Sequence, residues 1–338
     1  MATEKAGSPL LSVRQLKIQH RLRPVHPFAA PALLRAVDEI NFNLRAGQTL
    51  GVVGESGSGK STLARALLGV QPVAAGSIHY AGQELVGLDA RGWRPLRRQI
   101  QMVFQDPQGS LDPRMRIRQI VAEPLEFLCP EIAAPQRAGR VADMLARVGL
   151  DADLLDRYPH QLSGGQCQRV AIARALIVQP RLLICDEAVS ALDVSVQAEV
   201  LQLLRDLQAE TGMAMLFITH DLGVVRKLCD RVLVMYFGRT MEQGETRTVF
   251  AHPRHPYTKA LLASRPGTDP GERATLLRDG EAPDVTVPLT GCLFTPRCPM
   301  ADEQCPRRIP HTHSLRDGTA VACHYVSDAW APPDRLAM

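Results

Sequence analysis

Apolar and polar positions alternate along this chain with two different periods, and the change of period marks out its elements. Period-two alternation over Leu10–Ile18 and Ile40–Leu44 predicts half-buried strands. Continuous apolar runs at Thr49–Val53, Leu182–Cys185, Met215–Thr219 and Val232–Tyr236 predict short buried strands, with others at Ser77–Tyr80 and Ile100–Phe104. Helical spacing lies between them. Thr62–Leu68 opens a helix, Leu96–Arg98 sits on a short one, and Ser163 starts one that keeps Val170, Ala173, Arg174 and Ile177 on one side. Ser195–Glu210 is amphipathic, with Val196, Val200, Leu203, Leu204 and Leu207 expected inward. Strands alternating with helices predict an α/β fold around a mainly parallel, doubly wound sheet.

Three stretches depart from this rhythm. Arg21–Pro31 holds Pro24, Pro27 and Pro31 and reads as an inserted loop. From Asp106 to His160 only helical spacing remains, for example Val141, Leu145 and Val148, which predicts a helical insertion. After Phe250 prolines recur and periodicity fades, so the remainder reads as a separate, loop-rich appendage.

The 338 residues are 45% apolar, enough for about two domains with a real core. The net charge of +4 is too weak a field to imply nucleic acid as a partner. No window approaches the ~18–20 apolar residues of a membrane span, and Met1–Pro9 lacks the apolar core of a signal peptide, so a soluble, cytosolic chain is expected.

The strand Thr49–Val53 runs into Gly54-Glu55-Ser56-Gly57-Ser58-Gly59-Lys60-Ser61, followed by Thr62 on a helix. This fits the phosphate-binding loop G-x-x-x-x-G-K-S/T in its required strand–loop–helix context. Glycines let the backbone N–H groups converge on an anion, Lys60 would reach the β- and γ-phosphates, and the Ser61 hydroxyl would ligate magnesium. Asp186 and Glu187 end a buried strand, placing one carboxylate for magnesium and a second to take a proton from attacking water. Ser163-Gly164-Gly165-Gln166 opens a helix with free N–H groups, a hydroxyl and no bulky side chain, which makes a second anion site. One chain cannot bring two such sites onto one nucleotide unless it folds sharply, so a second copy is the natural supplier.

With these motifs in order, residues 10–250 resemble the ATP-binding-cassette (ABC) ATPases. The resemblance implies a P-loop NTPase fold: a RecA-like, mainly parallel sheet, an antiparallel β subdomain, and a helical subdomain at about 106–163. It implies two cassettes stacked head to tail, each ATP lying between one P-loop and the other cassette's Ser163–Gln166 stretch. Gln105 matches the glutamine that contacts magnesium and senses nucleotide. Ser190-Ala191-Leu192-Asp193 matches the loop at the dimer interface, and His220 matches the histidine that holds the γ-phosphate. Family members stack an aromatic ring on adenine near the first strand; here His20 stands in that place, with Phe28 as the alternative. Intact Lys60, Asp186, Glu187 and His220 speak against a silent regulatory cassette.

The segment 251–338 resembles the C-terminal extension of oligopeptide and dipeptide uptake ATPases, through His255-Pro256-Tyr257-Thr258, Gly280-Glu281-Ala282-Pro283 and Gly291–Cys305. Gly165-Gln166-Cys167-Gln168-Arg169 and Cys185-Asp186-Glu187-Ala188 resemble the "F" member of the two unequal ATPases in those importers. Implied partners are a paralogous ATPase or a second copy, two transmembrane permease subunits and an extracytoplasmic substrate-binding protein. The implied location is the cytoplasmic face of the inner membrane. Nickel or glycoside cargo is the alternative, as is a soluble ABC ATPase without a transporter.

Four of the eight cysteines, Cys292, Cys298, Cys305 and Cys323, are spaced C-x5-C-x6-C-x17-C in the loop-rich segment. Four thiolates in a region with little core predict a metal centre. Lack of C-x2-4-C pairs favours a [4Fe-4S] cluster over zinc, with His311, His313 and His324 as substitute ligands. Cys185 and Cys229 read as small core residues.

Overall fold

The computed structural model describes residues 8–22, 33–190, 192–264, 277–278 and 280–326. The inserted loop and Phe28 fall largely or wholly outside these residues. Two sheets form the frame. The smaller is antiparallel, in the order β2 (Leu33–Leu44), β1 (Leu11–Arg21), β4 (Ala75–Tyr80), β5 (Gln83–Glu84). Its strand β1 alternates buried and more exposed residues, as a sheet with one core face requires.

The larger sheet carries five parallel strands, in the order β9 (Arg231–Tyr236), β3 (Thr49–Val53), β8 (Ala214–Ile218), β7 (Leu182–Asp186) and, at one edge, β6 (Ile100–Val103). Every residue of β3, β7 and β8 is buried, which explains why these strands read as continuous apolar runs. Successive side chains still point to opposite faces. Leu182, Ile184, Leu216 and Ile218 pack toward the small sheet and α1 (Lys60–Leu67). Leu183, Cys185, Met215 and Phe217 pack into the core on the other face. Burial pushes the Cys185 thiol up to about 12, so this cysteine is a protonated core residue.

The helical stretch between β6 and β7 contains α3 (Ile117–Leu128) and α4 (Ala134–Arg147). Helix α2 (Ala90–Gln99) precedes β6, and α5 (Gly164–Leu176) leads back into the sheet. After β7, α6 (Val194–Thr211) ends at Gly212, whose φ of 67° closes the helix in the left-handed region. Its inward face is Val200, Leu201, Leu204 and Leu207; Val196 and Leu203 are only half-buried. Helix α7 (Leu222–Leu228) is capped by the Asp221 carboxylate.

The segment after residue 250 is not separate from the cassette. Strand β10 (Arg239–Glu245) follows β9 antiparallel, and β12 (Ala320–Ala322) pairs with β10 in turn, with β11 (Thr312–Ser314) outermost. Among the described residues, α8 (Thr246–Ala251) and α9 (Pro256–Ala263) lie between β10 and β11, as does a short 3-10 turn at Thr295–Arg297. Tyr257, Phe294 and Cys298 are buried within the same core cluster as Tyr236 and Phe217. Prolines hid this by suppressing periodicity, while a few large side chains and one short strand pair supply the attachment.

Candidate active site

Strand β3 delivers the chain into the phosphate loop, and α1 starts at Lys60. Gly59 has φ of 97°, and a Cβ there would lie 2.1 Å from the Ala36 carbonyl oxygen. Glycine at 59 is thus required by this chain's own packing. Lys60 is 5% exposed, and its ammonium donates to the carbonyls of Gly54 and Glu55, both at 2.8 Å, and to Ser58 Oγ at 3.3 Å. Burial lowers its pKa, opposed by Glu187, Asp186 and Glu55.

Opposite the loop, Ser61 Oγ donates to Asp186 Oδ1 at 3.1 Å. Burial raises the pKa of Asp186, and the Ser61 hydrogen bond only partly offsets it. A buried carboxylate of this kind, next to a hydroxyl and a phosphate-binding loop, fits magnesium, which takes few protein ligands and completes its shell with phosphate and water. Ser61 and Asp186 would hold the ion, which supplies charge neutralisation at the phosphates.

Glu187 stands at the C-terminal end of β7 with φ of 48°, in the left-handed region that side chains rarely adopt. Its N–H donates to the Ile218 carbonyl at 2.9 Å, which fixes this turn against β8. The carboxylate then meets Gln105 Nε2 at 2.9 Å and His220 Nδ1 at 3.4 Å. Three side chains from the ends of three adjacent strands, β6, β7 and β8, converge on one point.

Ser56–Thr62, Gln105, Glu187 and His220 line one cleft of about 670 Å³. His20, Leu34, Arg35, Ala36, Phe237 and Val285 form its other wall. The cleft therefore joins the phosphate loop, the Glu187 carboxylate and the His20 ring. Arg35, Phe237 and Val285 were not found from sequence; they lie outside any contiguous motif, and Val285 comes from the C-terminal segment.

Ser163–Gln166 does not line this cleft. Ser163 is exposed and caps α5 through a reciprocal pair: Gln166 N–H donates to Ser163 Oγ at 3.3 Å, and Ser163 N–H to Gln166 Oε1 at 2.9 Å. Gly165 is confined by Val196, whose Cγ1 would lie 2.7 Å from an added Cβ, whereas a Cβ on Gly164 would meet nothing within 4 Å. Asp193 is exposed at the start of α6, outside the cleft, and Ala191 lies outside the described residues.

The metal expected at the cysteines is not supported. Among the described residues, no group of three or more His, Cys, Asp or Glu side chains is placed to hold a metal ion. Cys298 and Cys305 are buried and Cys292 and Cys323 half-buried. Burial pushes the Cys298 thiol up to about 12, with Cys292, Cys323 and Cys305 adding to the rise, and Cys323 up to about 11. His324 Nε2 lies 2.9 Å from the Arg308 carbonyl. The missing stability comes instead from Phe294, fully buried, whose ring centroid is 5.4 Å from Tyr236 and 5.5 Å from Tyr257. Neither an iron–sulfur cluster nor zinc at these four cysteines is supported.

Fold and cleft together define a P-loop nucleotide-hydrolysing cassette. Comparison with known proteins narrows this. Residues 37–190 match the ABC transporter family and residues 241–305 the C-terminal region of oligopeptide/dipeptide transporters. An oligopeptide transport ATP-binding protein, OppF of Haemophilus influenzae, is 47% identical over 93% of this chain and 96% of its own length. The dipeptide transport ATP-binding protein DppF of the same organism is 44% identical over 95% of this chain and 98% of its own. A solved dimeric cassette in a post-hydrolysis state with ADP and phosphate, MJ0796, matches with a TM-score of 0.63 at 28% identity, over 70% of this chain and 99% of that one. The chain belongs to the ATP-binding subunits of ABC transporters, in the branch that carries the oligopeptide/dipeptide transporter C-terminal region. It is an ATPase of that family, with ATP and magnesium as its ligands.

Proposed function

We propose that this subunit powers the import of oligopeptides or dipeptides through a pair of permease subunits. It would sit at the cytoplasmic face of the inner membrane, with an extracytoplasmic protein delivering the peptide. No helix among the described residues is long and apolar enough to cross a membrane, so the translocation path belongs to other subunits in this reading. Its main support is identity that runs nearly end to end with peptide-transport ATPases and includes the C-terminal segment.

In the reaction, Lys60 and the loop N–H groups hold the β- and γ-phosphates. Glu187 accepts a proton as water attacks the γ-phosphorus, the bond to the β-phosphate oxygen breaks, and ADP and phosphate leave. His220 and Gln105 hold the carboxylate in line, and Gln105 reports nucleotide to the helical subdomain. The Ser163–Gln166 stretch and Asp193 of a second cassette close over the nucleotide. That second cassette is a paralogue or another copy of this chain. The support for this is Gly164, a glycine that no described residue of its own chain requires.

Uptake of a labelled tri- to pentapeptide by cells lacking this chain tests the reading. Wild type restores uptake and Lys60→Ala does not. Stable expression of wild type with no peptide uptake would move the cargo assignment to nickel complexes or glycosides.

A further inference from the structure

The last third of the chain reaches back to the phosphate loop. Arg297 closes a two-pronged ion pair on Glu55, with Nη1 2.8 Å from Oε2 and Nη2 3.0 Å from Oε1. The same guanidinium sits 5.9 Å from the Tyr236 ring centroid and reaches its hydroxyl at 3.4 Å, which fixes the plane of the fork. From α9, the Tyr257 hydroxyl accepts the Glu55 N–H at 3.0 Å. The Glu55 carbonyl in turn accepts from Lys60 Nζ at 2.8 Å and from Ser58 N–H at 3.2 Å. All three polar groups of Glu55 are thereby occupied, two of them by residues beyond position 250.

This brace rests on a rigid support. Tyr236, Tyr257 and Phe294 are at most 1% exposed and belong to the main core. An isolated surface ion pair contributes little, but a two-pronged arginine–carboxylate pair backed by an aromatic ring is the geometry that holds a backbone in place. Glu55 is not among the residues lining the nucleotide cleft, which begins at Ser56, so Arg297 and Tyr257 act on the loop and not on the ligand.

We propose that Arg297 and Tyr257 are positioning residues of the ATPase site. They hold Glu55 so that the phosphate loop keeps its anion-accepting shape before nucleotide arrives, which makes the C-terminal extension part of that site. A loop without the brace would be ordered at the expense of binding energy. The loss falls on ground state and transition state alike, so it shows in KM more than in kcat.

The inference rests on the nucleotide-site reading, and the test separates the two. Binding of a fluorescent ATP analogue and steady-state ATP hydrolysis are measured on the full chain. Arg297→Ala raises Kd and KM for nucleotide about tenfold with kcat held within about twofold. Arg297→Lys, which loses the fork but keeps the charge, recovers part of the affinity. Glu55→Gln, close in shape and with the backbone bond to Tyr257 untouched, gives a shift of similar size even if Arg297→Ala folds poorly. The double variant goes no further, as expected for two ends of one interaction. Unchanged KM in Glu55→Gln and Arg297→Ala, with binding lost in Lys60→Ala, overturns the brace alone. Unchanged binding in Lys60→Ala overturns the nucleotide site and the brace with it.

Discussion

The phosphate loop and the Ser163–Gln166 turn are both helix N-termini rich in glycine, yet the chain treats them in opposite ways. The loop is enclosed: Lys60 is buried, Gly59 is pressed against Ala36, and Glu55 is tied to Tyr257 and Arg297. The turn is held by its own capping pair and by Val196 against Gly165, with Ser163 exposed and, among the described residues, open space beside Gly164. A site finished by its own chain is packed from all sides. One that waits for a second surface is left bare, and its residue choices make sense only with that surface in place.

The largest expected effect comes from the enclosed half. Glu187→Gln lowers ATP hydrolysis about 10²–10⁴-fold while nucleotide still binds, because proton acceptance is lost and the loop is untouched. Turnover at the wild-type rate in a phosphate-release assay would remove Glu187 from its role. An intermediate effect sharpens the contrast between the halves. Gly164→Ala leaves the melting temperature of the isolated chain unchanged or slightly raised, since alanine favours the helix and meets nothing. Its hydrolysis in the assembled transporter falls about tenfold or more, because the added methyl intrudes where phosphate must approach. Normal turnover in that variant would break the comparison at its weaker side.

The effect that is smallest per pH unit concerns His255, which accepts the Tyr257 N–H beside the brace. His255 is fully buried, its Nδ1 accepts the Tyr257 N–H at 3.0 Å, and burial drives its pKa down from 6.5 to about 3. An unfolded chain therefore takes up this proton before the folded one does, and stability is lost as pH falls through the window from about 6.5 toward about 3. The buried Glu242 carboxylate, its pKa raised by burial, works in the opposite direction, so the comparison must be with a variant. The stability advantage of wild type over His255→Asn shrinks by up to about 1.4 kcal/mol per pH unit on acidification, read by urea unfolding. A gap that does not narrow would mean that His255 is not held neutral by burial.

What could be read from the sequence follows the same division. The phosphate loop, Asp186-Glu187 and Ser163–Gln166 are contiguous, and their backbone conformations leave signatures in glycine, serine and apolar runs. The central strands were legible because burial on both faces makes them continuously apolar. Arg297 was not, because its partner lies 242 residues away and a single pair leaves no local pattern. The buried core around Phe294 was not legible either, because that residue has no periodic neighbours to announce it.

The pairing of β12 with β10 has one more consequence. At Glu242–Val321 and Gln243–Ala320 it covers a strand that would otherwise end the large sheet with open hydrogen-bonding groups. A chain cut near residue 250, where periodicity suggests a boundary, would carry that bare margin into solution together with the uncovered face of Tyr236. Such a margin is open to strand addition, and in the whole chain β12 and then β11 move the sheet edge outward to a strand of only three residues.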